Sequence, residues 1–154
     1  MSDFHFKTLI ELSDQIRGLH ISPVEVTRHL LDRIDEYDGT LSSYVTVTAD
    51  RALRQASRAE EEIRCGHWRG PLHGVPIALK DLILTRGIAT TAGMSLYKDH
   101  VPLFDATVVE RLDNAGAVLL GKLKTAEGAL FNHQTSGCSS AEPMGPRLLA
   151  GRFL

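Results

Sequence analysis

The sequence predicts an α/β domain in which helices cover a mixed sheet, and three observations carry that prediction. Apolar residues recur at helical spacing in four separate stretches, short β-branched or continuously apolar runs fall between them, and Gly or Pro marks most of the boundaries. At 154 residues, 43% of them hydrophobic, the chain is long enough for one domain with a core and too short for two ordinary ones.

Leu9, Leu12, Ile16 and Leu19 form the apolar stripe of a first helix over about Lys7 to Leu19. Ser22-Pro23-Val24-Glu25 then combines an N-cap serine, a proline at the first helical position and a glutamate placed to close a capping box. That second helix carries Val26, Leu30, Ile34 and Tyr37 on one face and is expected to stop at Asp38-Gly39. Tyr44-Val45-Thr46-Val47-Thr48 is a strand by composition. Asp50 is the expected cap of a third helix, with Ala52, Ala56, Ala59 and Ile63 inward, Glu60, Glu61 and Glu62 on a solvated face, and Gly66 as its end.

After the punctuation at Gly70-Pro71, Gly74 and Pro76, Ile77 to Leu82 reads as a buried strand, and Gly87 to Gly93 as a loop. Asp105 is placed to cap a helix striped by Val108, Val109 and Leu112 and ended at Ala115-Gly116. Ala117-Val118-Leu119-Leu120 is a continuous apolar strand, from which Gly121 leads toward a short last helix around Thr125 to Leu130.

Charge and composition narrow the function classes. A formal net charge of −2 with well-mixed signs offers no basic face for phosphates or anionic lipid, so neither nucleic acid nor a membrane surface is an expected partner. The apolar run from Val75 to Leu84 is interrupted by Lys80 and Asp81 and falls far short of the roughly 20 residues of a spanning helix. Asp3 stands where a secretory leader would be positive, so a cytoplasmic location is expected. Cys65 and Cys138 form no CxxC and read as free thiols, and the seven histidines make no HxH or HxxxH pair; His67 and His73 flank the Gly-Pro turn and read as exposed loop residues. Neither a metal nor another cofactor is expected.

One residue interrupts this pattern. In Gly70 to Leu82, GPLHGVPIALKDL, a lysine stands inside an apolar strand. Side chains alternate along a strand, so Lys80 shares a face with Ala78 and Leu82, while Ile77, Leu79 and Asp81 point the other way and the adjacent carboxylate is badly placed to pair with it. An edge strand could use such a lysine against aggregation, or let its stem cover apolar surface. Buried among apolar neighbours without a counter-ion, it would instead lose solvation of its charged form and become a base near neutral pH.

GPLHGVPIALKDL, then TTAGMSL, then DATVVERLDNAGAVLLGKLKTAEGA, in this order and with these gaps, resemble the N-terminal part of the amidase signature family. Bacterial amidases, fatty acid amide hydrolases and the amidase-type subunit of tRNA-dependent amidotransferases belong to it. The resemblance covers about residues 6 to 132 and is strongest from Gly70 to Ala129. It implies an α/β/α domain, of which residues 1–132 would be the N-terminal part, and a small-molecule amide substrate. Lys80 would be the base of a Ser-cisSer-Lys triad that converts an amide to acid and ammonia. Thr90-Thr91-Ala92-Gly93, Asp105 and Gly116 read as scaffold. Two alternatives stand beside the hydrolase: the amidase-type subunit of an amidotransferase, or a non-catalytic interaction module that pairs with a homologue or a separately encoded C-terminal piece.

Both serines of that triad lie in family blocks that follow the recognised ones, and neither block is present, so a truncated, inactive piece with uncovered apolar faces is expected. Gly137-Cys138-Ser139-Ser140 imitates a Gly/Ser block, but Ala141-Glu142-Pro143-Met144 follows it. Residues 133–154 have no period of 2 or 3.6 and read as a non-family tail. Met144-Gly145 must be encoded ATG-GGN, which one nucleotide later yields a tryptophan codon. Permitted codons for Ser139 to Leu154 can spell P-P-R-N-P-W-G-P-D-Y-W-P-G-A-S-S in that frame, similar to the family's missing N-P-W and Ser-rich block. A departure from the ancestral frame around His133 to Ser139 is the resulting expectation.

Overall fold

A computed structural model describes residues 4–129. Residues 133–154, with Cys138 and the expected change of frame, lie outside the described residues, as does Leu130. Helix α1 spans Leu9–Arg17, about two residues inside each end of the expected range. Thr8 starts it with a reciprocal box: its hydroxyl accepts from the Glu11 N–H at 3.3 Å, and the Glu11 carboxylate accepts from the Thr8 N–H at 2.7 Å. Leu12 and Ile16 carry the stripe into the core.

Helix α2, Pro23–Leu41, opens at the expected serine, with Ser22 Oγ accepting from the N–H groups of Val24 at 3.0 Å and Glu25 at 3.3 Å, but the Glu25 side chain makes no return bond to the Ser22 N–H, so the expected box is only half formed. It does not stop at Asp38-Gly39. Gly39 stays helical, Ser42 takes the left-handed conformation at φ 50°, and the Asp38 carboxylate accepts from the N–H groups of Ser43 and Tyr44. Asp38 thus ends the helix through its side chain, further along the chain than its position suggested.

Strand β1 is Tyr44–Val47, and helix α3 is Ala49–Arg64. The N-cap of α3 is Thr48, not Asp50, which sits in the first turn. Thr48 makes no side-chain cap because its hydroxyl donates to the Leu119 carbonyl at 3.0 Å. Ala52, Ala56, Ala59 and Ile63 are buried as expected, and the three alanines let α3 lie close on the sheet. Gly66, at φ 81°, follows the helix end.

Strand β2 is Pro76–Lys80, helix α4 is Thr107–Asn114 and strand β3 is Val118–Leu123. The sheet order is β1-β3-β2, antiparallel between β1 and β3 and parallel between β2 and β3, so the last of the three strands in the chain is the central one. Asp105 does not cap α4: Ala106 is the N-cap, and Asp105 instead accepts from the Arg86 N–H at 2.7 Å. Gly121 does not end β3 either. A Cβ there would lie 2.2 Å from the Thr46 carbonyl oxygen, and the β1–β3 register shifts between Tyr44 and Thr46, so the glycine admits the close approach of β1 while the strand continues. Among the described residues, a short 3-10 turn, Glu127–Ala129, stands where the last helix was expected to begin.

Two apolar clusters sandwich the sheet. Val118 and Leu120 pack with Ala52 and Ala56 against α2 and α3 on one face, and Leu79 and Leu119 pack with Ile88 and Val109 of α4 on the other. Each fully buried Val or Leu contributes about 1.5–3 kcal/mol. The far edge of β2 has no neighbouring strand among the described residues, and Leu96, Leu103 and Phe104 are 82%, 89% and 62% exposed.

Candidate active site

The parallel pair ends at Lys80 on β2 and Leu123 on β3, the carboxyl edge where open α/β sheets commonly build their sites. Lys80 is the last residue of its strand and is exposed, which corrects the expectation of burial with Ala78 and Leu82. The strand stops two residues early, and Leu82 lies in the following turn at 40% exposure. Among the described residues, no hydrogen bond or ion pair engages the Lys80 ammonium.

Asp81, next in the chain, points to the other face and is wholly buried. Its Oδ2 accepts from the Thr91 hydroxyl at 2.5 Å and the Thr91 N–H at 3.1 Å. Its backbone N–H donates to the Leu123 carbonyl and its carbonyl accepts from Ala92 N–H. Asp81 Oδ1 has no hydrogen-bond partner; the nearest charge is Lys122 Nζ at 3.7 Å.

Lys122 is also wholly buried. Its register partner on β2 is Leu79, so it stands on the face opposite Lys80, on the same side as Asp81. Its ammonium donates to the Ile83 carbonyl at 2.7 Å and to the Thr90 hydroxyl at 2.8 Å. Burial lowers its pKa below the ordinary lysine value, and Asp81 opposes that shift. Ala92 and Gly93 both have positive φ, and a Cβ on Gly93 would lie 2.7 Å from the Thr125 carbonyl oxygen, so the 90–93 loop is packed tightly against the chain after β3.

Sequence reasoning missed Lys122, although its signal was the one that singled out Lys80: a lysine inside an apolar run, Ala117 to Leu123. It also misjudged His73 and Glu62. His73 is wholly buried; its Nδ1 accepts from the Arg69 N–H at 3.2 Å, which leaves the proton on Nε2 to donate to Glu62 at 3.1 Å. Burial, opposed by Glu62, lowers the His73 pKa. For Glu62 burial acts to raise the pKa, but Arg69 and Arg58 outweigh it and hold it below the usual carboxylate value. Glu62 is therefore a clasp between α3 and the 66–75 loop and not a solvated surface charge. His67, by contrast, is exposed, as is the free thiol of Cys65. Among the described residues no three His, Cys, Asp or Glu side chains group to hold a metal ion, and no helix is long and apolar enough to cross a membrane.

The family described as Amidase matches residues 25–141. The chain belongs to the amidase signature family. It is 43% identical over 143 residues to AmiD of Mycobacterium bovis, a protein with a provisional amidase name, a match that covers 93% of this chain and 30% of that one. It is 46% identical over 134 residues to a glutamyl-tRNA(Gln) amidotransferase subunit of Geobacter sulfurreducens, covering 87% and 27%. Among solved structures, the peptide amidase of Stenotrophomonas maltophilia superposes with a TM-score of 0.75 at 35% identity, over 80% of this chain and 26% of that one. The α/β amidase fold is shared, and the chain spans less than a third of the length of these relatives.

Proposed function

We propose that this chain is the lysine-bearing N-terminal part of an amidase-signature hydrolase of the cytoplasm, with Lys80 as the general base. The observation that carries this reading is the place of Lys80, at the carboxyl end of a strand paired in parallel, exposed, and turned away from its neighbouring carboxylate. In the proposed reaction a neutral Lys80 takes a proton through a bridging serine. A second serine then attacks the amide carbonyl, the proton passes to the departing ammonia, and water hydrolyses the acyl-enzyme to the acid. Both serines would come from the part of the family domain beyond this match, so the 154 residues alone are inactive.

Joining residues 1–129 to the remaining domain of a family relative supplies the test. Ammonia release from a primary amide is expected, with a loss of about 10²–10⁴-fold on Lys80→Ala; full activity of the Lys80→Ala chimera would sink the reading. A second reading, as part of a tRNA-dependent amidotransferase, draws support from the 46% identity to the Geobacter sulfurreducens protein. It predicts that the chimera passes its ammonia to a partner protein.

The family match runs to residue 141. We accordingly put the proposed departure from frame at the late end of the His133 to Ser139 window. Sequencing the gene decides this: a Leu149 codon that cannot yield a shifted tryptophan would rule it out.

A further inference from the structure

Lys122 and Asp81 form a buried ion pair for which the proposed chemistry has no use, yet both are bonded to the turn that carries Lys80. Ile83 N–H donates to the Lys80 carbonyl at 3.0 Å, and the Ile83 carbonyl accepts from Lys122 Nζ at 2.7 Å. Asp81, between them, is fixed through its backbone to Leu123 and Ala92 and through its carboxylate to Thr91. Thr90, held by Lys122, donates onward to the Ile88 carbonyl. Every residue from Asp81 to Thr91 that meets this network is thereby tied to β3, while Lys80 alone faces away from it.

We propose that Lys122 is a positioning residue for Lys80, acting through the Lys80–Ile83 turn and by neutralising Asp81 on the far face. The pairing has two effects. Mechanically, it fixes the strand end from which the Lys80 side chain departs. Electrostatically, Lys122 supplies the counter-charge that keeps the buried Asp81 carboxylate, one residue from Lys80, from acting on that neighbour's ammonium. The inference rests on reading Lys80 as the base.

The test uses the full 154-residue chain and does not require turnover. Competitive acetylation at a series of pH values, read by mass spectrometry at each lysine, gives the pH–rate profile of Lys80, and hydrogen exchange reports the 82–93 segment. In the wild type Lys122 should resist acetylation. Lys122→Met should move the Lys80 profile to higher pH and speed exchange over 82–93 by about tenfold or more, with α3 unchanged. Thr90→Val should loosen the same segment with little effect on the profile, because it removes an acceptor and no charge, and Thr90→Ser should restore the wild-type pattern.

An unmoved Lys80 profile in Lys122→Met would overturn the proposal, and so would a loss of protection spread evenly through α3, the mark of a merely structural role. The chimera separates the two readings. If Lys80→Ala abolishes its activity while the Lys80 profile ignores Lys122→Met, the positioning inference alone has failed; if Lys80→Ala leaves it active, the base assignment has.

Discussion

Lys80 and Lys122 sit one register step apart on adjacent parallel strands, each in an apolar run, and the fold treats them in opposite ways. Lys122 is sealed under the α4 face with two hydrogen bonds and a carboxylate at 3.7 Å. Lys80 emerges on the other face at the strand end, exposed. The difference lies in the alternation of side chains and in what covers each face, since residue type and local hydrophobicity are the same for both. A buried charge is tolerated when it is paired and hydrogen-bonded, and Lys122 has two hydrogen bonds and a counter-charge where the exposed Lys80 needs neither.

Mutations can sharpen or break this contrast. The largest loss should come from Lys122→Ala, which strands the Asp81 carboxylate in the interior and leaves the Ile83 carbonyl short of a donor. Denaturant melts should show about 3–5 kcal/mol of destabilisation. Asp81→Asn keeps acceptance from Thr91 but removes the counter-charge, so its cost should be smaller, about 1–3 kcal/mol; a loss equal to that of Lys122→Ala would mean that the charge, and not the hydrogen bonds, dominates.

Away from both lysines, His73 provides an acid-sensitive reference. Its folded pKa lies below the ordinary 6.5, so the unfolded chain binds the proton first as pH falls. The associated stability is full above that value and is lost below it. Urea midpoints should decline as the pH falls below about 6.5, and less steeply in His73→Gln; an equal slope in the variant would assign the decline elsewhere. The smallest effect belongs to Lys80→Ala, within about 0.5 kcal/mol in the same melts. A larger loss would mean that Lys80 is engaged by groups outside residues 4–129.

Much of the scaffold was legible because its signals are local. The stripe of α3 and the Ser22-Pro23 start of α2 depend on residues within a turn or two of one another and fold at the positions read, while of the α1 stripe Leu12 and Ile16 are buried and Leu9 and Leu19 are exposed. The failures share a different cause. Asp50 and Asp105 are good caps in isolation, but the chain begins its helices at Thr48 and Ala106, and Asp105 is drawn to Arg86 nineteen positions away. Gly121 looks like a terminator until β1 is laid beside it. His73 and Glu62 look like surface residues until α3 and the 66–75 loop meet.

The site was half legible for the same reason. The motif around Lys80 is contiguous and could be recognised, whereas the Asp81–Lys122 pair joins positions far apart in sequence, and only the parallel register brings them together. Likewise, the exposure of Lys80 depends on tertiary cover, which local hydrophobicity does not specify.

The order β1-β3-β2 bears on how the chain is made. During synthesis β1 and β2 leave the ribosome without a partner, because the strand that joins them is residues 118–123. Helices α1 to α3 can form and begin to pack meanwhile, but no rung of the sheet closes until β3 has emerged. At a synthesis rate of about 5–20 residues per second, the β2 segment waits some seconds with its apolar residues unpaired. The glycine that admits β1 and the lysine that clasps the 83–90 turn both arrive in that same short stretch, so the three described strands and the turn behind Lys80 are joined in one step.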